Sequence, residues 1–264
     1  MKKFRNNLKE AYNESKRSSI IVYFILRFLV ILTMIRQFFL QNYTDVALCL
    51  LTLILLILPF FIQKRFKITF PNLLEIIILC FIFSAEILGE INNFYGHISN
   101  WDTMLHTLNG FLAAGIGFSL VDLLNKHAKS INMSPLFVAI VAFSFSMTIG
   151  VVWEFFEYGM DRYMGFDMQK DVVVSNVNTV YLDETNSNKV VKIEDIDRTI
   201  IYDKEGNVIT TVENGYLDLG INDTMKDLFV NFIGAIVFCF LGYLYLLNED
   251  KFDFAKNFIV TSEN

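Results

Sequence analysis

Cysteine is scarce in this chain, and basic residues are missing from two of its short connections. The three cysteines, Cys49, Cys80 and Cys239, all fall inside apolar runs. They form neither a disulfide framework nor a zinc motif, and read as small core residues. No internal repeat and no low-complexity tract is visible, which excludes solenoid and linker-like architectures. A formal net charge of −6 argues against a nucleic-acid partner or an anionic surface. The segments Gln41 to Asp45 and Asn92 to Trp101 contain no Lys or Arg.

Apolar sequence is abundant. Of 264 residues, 54% are hydrophobic and 27 are Phe, with a mean hydropathy of +0.44. Apolar stretches near twenty residues long read as transmembrane helices. Six are expected: Ser18 to Leu40, Val46 to Ile62, Pro71 to Ile91, Asp102 to Leu124, Pro135 to Tyr158 and Thr224 to Leu247. The first is too long for a signal-peptide core, and no small-residue cleavage pattern follows Leu40, so it is expected to be retained.

Orientation follows from short-loop Lys and Arg. The N-terminal arm carries Lys2, Lys3, Arg5, Lys9, Lys16 and Arg17. The loop after span two carries Lys64, Arg65 and Lys67, and that after span four Lys126 and Lys129. The alternation with the two loops that lack Lys and Arg places both termini in the cytoplasm. The expected fold is thus an all-α integral membrane protein with six spans, N-in and C-in. Residues 1–17 form a basic cytoplasmic arm, 18–160 spans one to five, 224–247 span six and 248–264 a cytoplasmic tail.

Residues 161–223 lie between spans five and six, with 13 acidic residues against six basic ones. The segment is too long for a simple loop and too polar to span. Val172 to Tyr181, Lys189 to Ile193, Thr199 to Tyr202 and Val208 to Val212 are β-branched and partly alternating, as short strands are. Asp203 to Asn207 reads as a hairpin turn. A small extracytoplasmic antiparallel cap of three to five strands is expected.

Ionisable residues inside spans are costly and mark functional sites. Asp102 and His106 are four apart, Glu154 and Glu157 three apart, and Asp223, Asp227 and Asn231 four apart, so each set shares a helix face. The expected orientation puts His106, Glu154, Asp227 and Glu86 roughly 7–13 Å to the outer side of the midplane, at about 1.5 Å per residue. Glu90 joins them on span three. Carboxylates crowded in one layer need protons, a cation or basic side chains to offset them. Arg36 is a candidate partner for Glu86 or Glu90, and Arg27 for another polar group of the bundle.

Asp102, His106, Glu154, Glu157 and Asp227 form an oxygen-rich ligand set with one nitrogen. It suits zinc, manganese, iron or a harder divalent ion. The same residues with Asp223 are the candidate catalytic groups. Glu86, Glu90, Asn109, Asn231 and Arg36 are supporting candidates. Against this stand plain structural roles: Asp102 and Asp223 as helix caps, and His106 as a neutral histidine bonded to Asp102 or Asn109. Asn109-Gly110 and Asn231-x-x-Gly234 read first as helix packing and second as lining. Trp153 reads as an interface anchor or a pocket wall.

The stretches Trp101-Asp102-Thr103-Met104-Leu105-His106, Trp153-Glu154-Phe155-Phe156-Glu157 and Asp223 to Leu228 with Asn231 and Gly234 together resemble the YjdF-type bacterial inner-membrane proteins. The resemblance covers roughly Glu86 to Leu247 and implies a multi-pass protein of the bacterial cytoplasmic membrane, with no established reaction. A looser similarity reaches the VanZ-type membrane proteins, although the second motif here is E-x-x-E rather than E-x-x-Q. Three functions remain open: a divalent-metal site for envelope chemistry on a lipid-linked substrate, a proton- or cation-coupled transporter, and a structural or partner-binding protein. Glu157 could serve the first as a base. No protein partner is named by the sequence.

Overall fold

A computed structural model describes residues 2–127 and 133–262, with side chains placed for 18–125 and 133–262. The side chains of the basic N-terminal arm and of Lys126, and all of Lys129, lie outside the described residues. The chain divides into two compact units, residues 1–150 with 227–264, and Val151–Lys226.

The first unit is helical. Helix α1 is Lys2–Phe39, α2 Tyr43–Leu55, α3 Leu58–Phe66 and α4 Asn72–Phe83. Asn42 caps α2 by accepting from the Asp45 N–H. Pro59, in the first turn of α3, has no N–H to continue the α2 ladder, so the second apolar run breaks after Leu55. Strand β1 (Ile68–Thr69) precedes α4, which passes into a π-helical stretch, Ser84–Ile91. The short helix α5 (Phe94–His97) follows. Helix α6 (Trp101–His127), the start of α7 (Pro135–Gly159) and most of α8 (Ile221–Leu247) complete the bundle.

Among the described residues, five helices are long and apolar enough to cross a membrane: Ser18–Phe39, Tyr43–Phe66, Trp101–Asn125, Pro135–Met164 and Ile221–Leu247. The run expected as a third span is α4 with its π extension and is not among them. Phe24 and Phe28 of α1 are 64% and 59% exposed. So much outward Phe, Leu and Ile is what a lipid-facing surface presents. The protein is a multi-pass membrane protein whose apolar helices lie in a bilayer.

Three apolar cores hold this unit, one of them formed by Phe70, Leu74, Leu112 and Val260. Leu26, Val30, Cys49, Leu56, Leu79 and Ile87 knit α1, α2 and α4 together. Phe118, Val138, Ala142, Phe238 and Cys239 join α6, α7 and α8. Cys49 and Cys239 are core residues as expected, whereas Cys80 is exposed, because it falls on the outward face of α4.

The C-terminal tail is not a loose end. A 3-10 turn, Asp253–Phe258, buries Ala255 and Phe258. Strand β8 (Thr261–Ser262) then pairs antiparallel with β1. The Val260 N–H donates to Ser119 Oγ at 2.9 Å, and the Phe258 ring meets Phe111 edge-on. Polar sequence concealed this docking, because only four apolar residues carry it.

The second unit begins in the last turns of α7. A π turn, Met160–Met164, ends at Gly165 in the left-handed region. Six short strands follow: β2 Val172–Val174, β3 Val177–Thr179, β4 Val191–Ile193, β5 Arg198–Tyr202, β6 Val208–Glu213 and β7 Tyr216–Asp218. They form three separate two-stranded antiparallel ladders, β2 with β7, β3 with β4 and β5 with β6, rather than one sheet. The β5–β6 turn is tied by Asp203, which accepts from the Asn207 N–H at 2.7 Å and from its side-chain amide at 2.9 Å.

Candidate functional site

Glycine decides how closely α6 and α8 approach. A Cβ on Gly110 would overlap the carbonyl oxygen of Asn231, and one on Gly234 would overlap that of Thr107. The two backbones therefore touch, as small residues permit in membrane bundles. Gly150 of α7 leaves room for the Asn231 amide, whose nitrogen would lie 2.8 Å from a Cβ there. Asn231, 1% exposed, accepts from Asn109 Nδ2 at 3.1 Å and directs its own amide to Met147 Sδ at 3.7 Å. Ser146 Oγ donates to the Gly110 carbonyl at 2.8 Å. The packing reading of Asn109-Gly110 and Asn231-x-x-Gly234 thus describes the crossing; Ser146, Met147 and Gly150 join it without having been singled out. Gly150 within the apolar stretch of α7 was the available signal.

One turn from Asn231 along α8 is Asp227, also 1% exposed. His106, on the neighbouring helix, is 9% exposed. Its Nε2 lies 3.4 Å from Asp102 Oδ1 and 3.8 Å from Asp227 Oδ2. One donor atom from each of the three residues falls within 4.8 Å of the others. Asp102 is in the first turn of α6 and partly buried, and its pairing with His106 is the four-residue spacing seen in the sequence. Asn109, the other expected partner of His106, bonds Asn231 instead.

Glu154, 4% exposed, and Glu157, 7%, belong to the second unit. Glu157 accepts from the Trp153 indole N–H at 2.7 Å, so Trp153 orients a carboxylate while its ring stays 43% exposed. Asp223 does not cap α8: it is the third residue of the helix, and Asp218 Oδ2 accepts from the Asn222 N–H at 2.9 Å instead. Asp223 receives the Lys170 N–H at 2.8 Å and lies 3.8 Å from the Lys226 ammonium.

Asp161 accepts from the Met168 N–H at 2.6 Å and the Gln169 N–H at 2.8 Å. Two acids thus hold the backbone of 168–170, where the chain leaves its helix and has no ladder partner. Glu86 is half-buried in the π stretch and Glu90 is exposed. Arg36 is exposed, and among the described residues no ion pair involves it. The expected pairing of Arg36 with Glu86 or Glu90 is not seen among the described residues. Arg27 instead donates to Tyr23 Oη at 3.0 Å and to the Leu53 carbonyl at 3.2 Å.

A bundle of apolar helices with an Asp/His/Asp cluster among them defines a polytopic membrane protein with a polar interior site. Over residues 20–248 the sequence matches the family described as Predicted membrane protein (DUF2238), and the chain belongs to that family. The YjdF-type naming is consistent with it. Searches of curated proteins and of solved structures gave no match.

Proposed function

We propose that Asp102, His106 and Asp227 bind one divalent cation, zinc before manganese or iron, in support of envelope chemistry on a lipid-linked substrate. The observation that carries this reading is the spacing of the three donor atoms. Ligands about 2.1 Å from a tetrahedral zinc stand about 3.4 Å apart, against 3.4 and 3.8 Å here. Two carboxylate oxygens and one imidazole nitrogen leave a fourth position for water, whose pKa such a metal lowers. Asn231 and the glycines beneath it fix the helix crossing and so the ligand spacing.

The reading has the chain cross the membrane six times with both termini inside, α4 and its π extension supplying the third crossing. The distribution of Lys and Arg supports this. The cluster then opens to the outer side, and the strand-bearing unit is extracytoplasmic.

Equilibrium dialysis of the purified chain against zinc tests the site. Stoichiometric binding that falls at least tenfold in His106→Ala and Asp227→Asn supports it. Equal binding by all three proteins would leave the carboxylates as bundle ion pairs. Transport by the same carboxylates has less in its favour, since the one further acid toward the inner end of α6 is Asp122.

A further inference from the structure

A groove of about 480 Å³ runs along α6 beside α8, within the range of ligand-sized clefts. It is not an approach to the Asp/His/Asp cluster. At about 3.6 residues per turn, Met104, Thr107 and Phe111 share one stripe of α6, and Asp102, His106 and Asn109 share the opposite one. Thr103, Met104, Thr107 and Phe111 line it from α6, and Gly234 and Val237 from α8. Gly234 forms part of its wall, where the α6 and α8 backbones touch.

Asn100, Thr103 and Thr107 lie toward one end and Leu108, Phe111 and Val237 toward the other, and the lining exposes almost only apolar surface throughout. The Phe111 ring is backed edge-on by Phe238 and by Phe258 of the docked tail, at 5.1 Å in each case, which closes the Phe111 end. The Thr107 hydroxyl is spent on the Thr103 carbonyl at 2.7 Å, and the Thr103 hydroxyl is buried out of reach of the groove, so a hydrocarbon meets no exposed polar group there.

Length identifies the occupant. From the start of α6 to Phe111 the helix rises about 15 Å, at about 1.5 Å per residue. One leaflet of a hydrocarbon core about 30 Å thick is of the same depth. The groove runs from the end of α6, a helix long and apolar enough to cross a membrane, to a little under half of its length. We propose that it binds one hydrocarbon chain of a bilayer lipid along this apolar lining, with the chain end resting on Phe111. The Phe111–Phe258 contact sets the floor and so the chain length accommodated. The site is independent of the cation reading.

The test uses the full chain in phosphatidylcholine vesicles containing a small share of phosphatidylcholine with a diazirine on one acyl chain. After irradiation, adducts are mapped by peptide mass spectrometry. Adducts on Met104, Phe111 and Val237 should exceed those on the lipid-facing Phe24 and Phe28 of α1 several-fold. Val237→Trp, which fills the Phe111 end, should remove the excess at Met104 and leave α1 labelling unchanged. Leu108→Trp, which fills the groove from α6, should lower groove labelling in the same direction, and it reads the site even where the Val237 variant fails to insert. Labelling spread evenly over groove and α1 overturns the proposal. So does a groove that stays unlabelled while Met104 crosslinks to a second copy of the chain.

Discussion

Gly234 sets its bare Cα against the carbonyl oxygen of Thr107, and that contact fixes how near Asp227 comes to His106. Gly234→Ala should push α8 from α6. The expected cost is about 1–3 kcal/mol, the usual range for overpacking, together with weaker cation binding. Thermal unfolding in detergent measures the first. Gly159→Ala is the control, since a Cβ there meets nothing within 4 Å. Equal midpoints for both variants would remove the glycine contact as the organising feature.

Asp161 should matter to the second unit and not to the cluster. Asp161→Ala leaves the N–H groups of Met168 and Gln169 without their acceptor. Amide exchange at 168–170 should quicken at least tenfold, with zinc binding unchanged. Unaltered protection in this stretch would mean that the two bonds contribute nothing to its order.

The Asp183 loop should resist acid. The Thr185 side chain, then the Lys189, Thr185 and Ser187 N–H groups, donate to this carboxylate and hold its pKa well below the ordinary range. A depressed folded pKa means the stabilisation is complete above the unfolded value, about 3.9, and is lost only as pH falls through the lower folded one. Carboxyl NMR shifts should therefore show Asp183 still ionised at pH 3, below the ordinary carboxylate range of about 3.9–4.3. Titration of Asp183 at an ordinary carboxylate pH would contradict the hydrogen-bonded loop.

Topology is directly measurable. A reporter active only outside the cytoplasm should work when fused at Asn186 and be silent when fused near Lys126. The reverse pattern would invert the membrane placement of the cluster.

Much of this structure is legible in single residues. The four-residue spacing of Asp102 and His106 gives their contact, because a helix repeats its face at that interval. The β5–β6 turn follows from Asp203 and Gly206. Less legible was anything set by long-range approach. Asp223 looks like a helix cap, but the cap is taken by Asp218, and Asp223 turns to the Lys170 N–H, 53 residues away. Arg36 has the right charge for Glu86 without any periodicity that says which way it points. The strands are visible as β-branched runs, yet their pairing into three separate ladders depends on contacts such as Val172 with Asp218, which no local pattern encodes.

X-ray absorption at the zinc edge of the reconstituted protein tests the central claim most directly. The account predicts a shell of nitrogen and oxygen at about 2.0–2.2 Å with an imidazole signature and no sulfur. The imidazole signature should vanish in His106→Ala, and total zinc should fall in Asp227→Asn. A sulfur shell, or an imidazole signal that persists without His106, would place the metal elsewhere and contradict the Asp102–His106–Asp227 site.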